Sequence, residues 1–184
     1  LAKMESEVEF IGIAVHNMDP MTVTAYDAAI GSLLPNNQGY PHGGIDRVAG
    51  FDPGDFKPQF DLRKSTPIDA YIKSITAYYN STTKVVSISA TAEFLKKLSG
   101  EYRLSAVIIQ DDLNSTASGW AQKNSYAGGG AGQLAFPQGI NNGYNFATGA
   151  ASVPTADMGG HDHVARSLSN NDIKGDENSL PTGT

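Results

Sequence analysis

Four histidines, one acidic pair and a Tyr-Pro step set among glycines are the residues here with chemistry to offer. Residues 39–47 read Gly-Tyr-Pro-His-Gly-Gly-Ile-Asp-Arg. X-Pro is the peptide bond that isomerises most cheaply, so Tyr40-Pro41 predicts a cis turn that leads into a strand, with an ordinary trans loop as the alternative. Function is expected beside that turn. His161 and His163 are two apart and on a strand would point the same way, a spacing that suits two imidazoles on one metal if Asp162 or Asp157 joined them. A strand places Asp162 on the opposite face and no fourth ligand is visible nearby, so no metal is assigned; hydrogen bonding between domains is the favoured role for His163 and Arg166. His16 lies beside Asn17 and Asp19, where it is expected to cap polar groups at a sheet edge. Asp111-Asp112 reads as solvated surface. Arg47 and Asp46 are expected to fix orientation through surface ion pairs.

Composition excludes several classes. A chain of 184 residues with 40% apolar residues suits one large domain or two small ones with a packed core. A net charge of -6 and a pI near 5.0 argue against nucleic acid as a partner, because phosphate neutralisation needs clustered Lys and Arg. No apolar run approaches a membrane span. Cysteine is absent, so this polypeptide offers no disulfide, thiolate metal site or thiol catalysis. No cofactor is expected.

The elements that must position these residues follow from periodicity. Residues 8–15 are apolar on both faces in their second half, which predicts a central strand. Asp19-Pro20 offers a cap and a first helical position for a helix over residues 21–34, in which Val23, Tyr26, Ile30 and Leu33 or Leu34 recur at helical spacing. After the Tyr-Pro turn, residues 45–48 read as a short strand, and the turn chemistry of residues 51–55 closes the first unit. Residues 70–79, 85–94 and 102–109 then alternate with period two and predict an antiparallel meander with one buried face, connected at Asn80-Ser81-Thr82-Thr83 and Lys97-Leu98-Ser99-Gly100. Residues 114–160 are rich in Gly, Ala, Asn and Ser and predict a long polar loop, either a functional cover or partly mobile, with Trp120, Tyr126, Phe136, Tyr144 and Phe146 as anchors. Residues 161–168 regain apolar spacing and predict a short returning strand.

Five separated pieces, Ile13-Ala14-Val15-His16-Asn17, residues 39–47, residues 102–111, Gln122-Lys123-Asn124-Ser125-Tyr126 and His161-Asp162-His163-Val164-Ala165-Arg166, together resemble the twenty-eight-kilodalton outer membrane protein family of Bacteroidetes-type bacteria. The resemblance covers most of the chain and implies an α+β fold. It expects a thioredoxin-like α/β unit over residues 1–66, incomplete at its amino terminus, followed over residues 67–184 by an antiparallel immunoglobulin-like β-sandwich that lacks its last strands. It implies export and residence at the outer membrane or cell surface of a Gram-negative bacterium, with membrane association only through an upstream lipid anchor. In a thioredoxin-like fold the cis-proline loop pairs with the backbone of an extended substrate, so Tyr40, Pro41 and His42 are expected to line a groove. His42 there is either a cation near a thiolate or an exposed turn residue. The expected function is a binding protein whose groove and loop aromatics, Trp120 foremost, contact a protein, peptide or glycan at the cell envelope. The alternative is an extracytoplasmic thiol-disulfide oxidoreductase whose Cys-x-x-Cys lies upstream of residue 1, which leaves enzymatic activity open.

Overall fold

The computed structural model describes residues 10–34, 36, 39–130, 134–136, 138–177 and 179–180. The fold mixes helix and antiparallel sheet, an α+β arrangement built from α1 (Thr24–Leu33), β1 (Gly43–Ile45), β2 (Ala49–Phe51), α2 (Phe56–Lys64), β3 (Ala70–Asn80), β4 (Val85–Phe94), β5 (Val107–Gln110), β6 (Gln122–Lys123), β7 (Ser152–Val153) and β8 (Val164–Leu168). Four two-stranded antiparallel pairs result: β1 with β2, β3 with β4, β5 with β8 and β6 with β7.

The core gathers around β8. Val164 is fully buried, and Ala165, Leu168, Ile173 and Tyr26 are nearly so. Val15, Val23, Ala29, Ile30, Leu33 and Val107 pack against this cluster. α1 therefore lays the face carrying Val23, Tyr26, Ile30 and Leu33 onto β8, as its helical spacing requires. Its start lies three residues later than Met21. Asp19 Oδ1 accepts from the Met21 amide at 2.8 Å, and the Thr22 amide donates to the Asp19 carbonyl at 3.1 Å. That carboxylate caps a separate turn, and Val23 takes the N-cap position of the helix.

The central strand expected over residues 8–15 is not formed in its described part. Val8 and Glu9 lie outside the described residues, and the remainder makes one parallel bridge, Ala14 to Val164. The Ala14 amide donates to the His163 carbonyl at 2.7 Å, and the Ala165 amide donates to the Ala14 carbonyl at 3.0 Å. The strand between two neighbours is thus β8, with Ala14 on one side and β5 on the other.

Residues 46–48 are a turn and Ile45 ends β1, correcting the strand expected over residues 45–48. Asp46 and Arg47 both have positive φ, 51° and 58°, and the Val48 amide donates to the Ile45 carbonyl at 3.2 Å. Two left-handed central residues match the right-handed twist of a hairpin, here β1–β2. Arg63 Nε donates to Asp46 Oδ2 at 3.1 Å, and Arg47 Nη1 donates to the Ile173 carbonyl at 3.5 Å, so the turn is tied to α2 and to the end of the chain.

The β3–β4 hairpin lies where alternation places it. Asn80 Oδ1 accepts from the amides of Thr82 and Thr83 at 2.9 and 3.0 Å, and the Lys84 amide closes the loop on the Asn80 carbonyl at 2.8 Å. The third expected member of the meander leaves the hairpin, since residues 107–110 pair with β8. The expected buried face is open as well, because Ile72, Ile75, Tyr79 and Ile88 are all exposed.

The segment over residues 114–160 is pinned throughout its described part. Asn124, 6% exposed, donates through Nδ2 to the carbonyls of Phe146 and Ala150 at 2.7 and 3.1 Å, and its Oδ1 accepts from the Tyr126 amide at 3.0 Å. One amide side chain thereby closes two stretches of backbone that no apolar period could hold. Phe136, Tyr144 and Phe146 meet edge to face above it.

Gly43 shows how tightly the β1–β2 hairpin meets α2. A Cβ there would lie 2.7 Å from the Phe56 ring and 2.9 Å from the Phe51 ring, two rings already packed edge to face with centroids 5.1 Å apart. Gly43→Ala is expected to cost about 1–3 kcal/mol, the usual cost of overpacking, read as a lower denaturant midpoint with an unchanged slope. Unchanged stability would mean that the two rings move aside freely.

Candidate functional site

The Tyr40–Pro41 bond is cis, as the sequence predicts. The turn that carries it stands between two hollows. One, of about 890 Å³, is mainly aliphatic and aromatic, with Ile13, Ile30, Leu34, Ile45, Phe56 and Phe60 in its wall. The other, of about 860 Å³, carries the polar side chains of His16, Asp19, Gln122 and Asn124 beside Phe136 and Phe146. Val15, Tyr40, Pro41 and Phe56 border both.

Helix α1 holds the turn in place through one carboxylate. Tyr40 donates its hydroxyl to Asp27 Oδ1 at 2.5 Å, and Asn17 Nδ2 donates to Oδ2 and Oδ1 of the same group at 2.9 and 3.1 Å. Asp27 thus links the segment after Ala14 to the Tyr-Pro turn. Burial, and after it the Asp27 carboxylate, push the Tyr40 phenol well above its usual range, so the ring remains a neutral donor. Almost half of Tyr40 is exposed, Pro41 is exposed beside it, and His42 is half-buried with its Nε2 enclosed and without a hydrogen-bond partner. Immediately beyond, β1 has β2 on one side and no strand on the other among the described residues.

A second polar group forms the floor of the other hollow. His16 Nδ1 lies 2.7 Å from Asp19 Oδ2, with both side chains almost buried. Gln122 Nε2 donates to the same Asp19 oxygen at 3.1 Å, and the His161 ring meets the His16 ring edge to face with centroids 5.4 Å apart. Burial pushes the Asp19 carboxyl up, but the hydrogen bonds from His16, the Met21 amide and Gln122 outweigh it and leave the group below its ordinary value. Burial, and next the neighbouring His16, hold the His161 imidazole below its ordinary value. The Trp120 carbonyl, Asp19 and Asp162 pull the other way.

The structure brings Tyr40, Pro41 and His42 together on one rim, and His16 and His161 together in one buried cluster. It separates the others. Trp120 borders neither hollow; its carbonyl accepts from Thr155 Oγ1 at 3.3 Å and Gln122 Nε2 at 3.5 Å. His163 has φ 59°, so the alternation expected of a strand breaks between it and His161. Its amide donates to Asp111 Oδ1 at 2.6 Å, and its Nδ1 lies 3.3 Å from the same oxygen. Arg166 is exposed on β8, and Arg47 serves the β1–β2 turn. Among the described residues no three His, Cys, Asp or Glu side chains converge with metal-binding geometry. Asp27 and Gln122 were missed in the sequence. Asp27 sits at the border of the apolar stripe, one helical turn on from Val23, and Gln122 reaches Asp19 across more than half the chain, so neither leaves a local signal.

No protein-family model, curated protein or solved structure matches the chain.

Acidification tests the buried cluster. The folded-state pKa of His161 is below its ordinary 6.5, so folding favours the neutral ring; the stability this gives is complete above that value and is lost as pH falls through it toward the folded-state pKa. Asp19, also depressed, adds a loss in the same direction below its ordinary 3.8. Stability is expected to fall from about pH 7 to about pH 5, with a clearly shallower slope in His161→Gln. Equal slopes in the two proteins would show that the imidazole is not held neutral.

Proposed function

We propose that this chain is an exported, outer-membrane-associated binding protein that captures an extended peptide segment along the open side of β1, with Tyr40, Pro41 and His42 at the mouth of the groove. One observation carries the reading: a strand edge with no second neighbour among the described residues lies against an apolar hollow of about 890 Å³. Strand addition uses these two features together. Main-chain bonds to the edge provide affinity, and every second ligand side chain points into the pocket to provide specificity. Phe56, Phe51 and Leu34 cover the faces of Gly43 and Gly44, so β1 offers its edge alone to an incoming backbone. The exposed ring of Tyr40, anchored through its hydroxyl to Asp27, offers contact area at a low entropic cost. Placement at the cell envelope, and the finer description as a non-catalytic thioredoxin-like unit joined to an immunoglobulin-like domain, rest on the motif resemblance.

Selection from a displayed peptide library is expected to enrich segments with apolar residues at alternate positions. Tyr40→Ala should weaken the selected peptides by roughly tenfold, the scale of a removed aromatic anchor. N-methylation of alternate ligand amides should abolish binding. Peptides that bind Tyr40→Ala and wild type equally, or that tolerate N-methylation throughout, contradict the reading.

A further inference from the structure

The β3–β4 hairpin gathers its Ile, Ala and Phe side chains on one face, while Tyr71, Tyr78 and Val85 fall among the polar residues of the other. Its register pairs Ala70 with Phe94, Ile72 with Ala92, Ile75 with Ala90, Ala77 with Ile88 and Tyr79 with Val86, and paired residues share a face. That face is therefore apolar or aromatic at every position. The irregularity between Ile72 and Ser74 leaves Lys73 without a paired partner and restores the phase, so that Ile75 falls on the same side as Ile72. The opposite face pairs Tyr71 with Glu93, Ser74 with Thr91, Thr76 with Ser89 and Tyr78 with Ser87. Lys73 Nζ reaches Glu93 at 2.5 Å, which places that ion pair on the polar side.

Among the described residues no second layer covers this apolar face. Ile72 is 52% exposed, Ile75 66%, Tyr79 54%, Val86 37% and Ile88 40%. Only its base is closed, where Phe94 meets Tyr102 edge to face. A two-stranded hairpin is marginal in water unless its apolar side packs on another layer. The side chains are also arranged for such packing: each of the three central pairs, Ile72 with Ala92, Ile75 with Ala90 and Ile88 with Ala77, sets one large residue beside one small one.

We infer that the layer covering this face is the same face of a second copy of the chain, related by a two-fold axis that runs along the strands between β3 and β4. Such an axis turns each copy over and lays every β3 residue above its own cross-strand partner in the other copy. Ile72 then sits over Ala92, Ile75 over Ala90 and Ile88 over Ala77, large against small throughout the centre. This alternation is what lets two sheets interdigitate about 10 Å apart. No charged side chain lies on the face, so the two copies bring no like charges together. With about ten residues a side against the roughly 20–30 of a standard interface, the contact lies at the small end of specific interfaces, which suits a reversible dimer. The interface is isologous and closes on itself, so it yields a dimer.

Sedimentation equilibrium of the purified chain tests this. Expected is a reversible monomer–dimer equilibrium whose dissociation constant rises at least tenfold in Ile75→Lys and stays unchanged in Thr76→Lys on the polar face. Far-UV circular dichroism of both variants reports whether the hairpin still folds. A second measurement does not depend on a charge buried at the interface. The chain has no cysteine, so Ile75→Cys protein mixed with Ala90→Cys protein and a short bifunctional maleimide should give a cross-linked heterodimer, while Ile75→Cys mixed with Ser89→Cys should not. A wild type that stays monomeric at all concentrations, a dimer that Ile75→Lys leaves intact, cross-linking independent of position, or a face covered by a different polypeptide would each overturn the inference.

Discussion

Five residues of backbone, Val164 to Leu168, carry the organisation of this protein. They accept α1 on one face, pair with β5 on one edge and, together with the His163 carbonyl, exchange two hydrogen bonds with Ala14 on the other. Val164, fully buried, pairs with Ala14 on one side and Gln110 of β5 on the other, so neither of these two neighbours can shift without disturbing it. The segment that follows Ala14 supplies His16, Asn17 and Asp19, so the position of both hollows depends on that one bridge.

From there the two candidate surfaces are built differently. The Tyr40–Pro41 rim is positioned by charge-assisted hydrogen bonding, with the Asp27 carboxylate serving Asn17 and Tyr40 at once. The hairpin face is positioned by side-chain alternation alone, and its exposure follows from the fact that β5 pairs with β8 and not with β4. An apolar groove with a hydrogen-bonded rim is therefore mounted on the core, while a self-complementary apolar sheet stands apart from it. The buried pair of His16 and Asp19 lies between them in role: it is enclosed, satisfied by Gln122 and the Met21 amide, and it ties the middle of the chain to its beginning.

Legibility in the sequence tracked the range of the interaction. The β3–β4 hairpin was readable almost to its ends, because period-two alternation and an Asn-Ser-Thr-Thr turn act within a few residues. The face of α1 was readable for the same reason, and so were the Tyr-Pro turn and the returning strand at residues 164–168. Residues 45–48 misled because Ile, Asp, Arg and Val carry no glycine to announce a turn, although Asp46 and Arg47 both adopt left-handed backbone. The partner of β5 could not be read from either strand alone, since pairing across a long separation leaves no local trace. Residues 114–160 looked unstructured because Asn124 organises them through bonds to backbone carbonyls, an interaction that composition does not display. The groove residues 40–42 were found from the turn; Asp27, which fixes them, was not.

The central claim is that β8 is the last element to come apart. The most direct measurement is native-state amide hydrogen exchange at Ala165, whose amide donates to Ala14 at 3.0 Å. The account predicts that this proton exchanges only through global unfolding, with a protection free energy equal to the total stability and sharing its denaturant dependence. Exchange through a local opening well below that value, with little denaturant dependence, would contradict it.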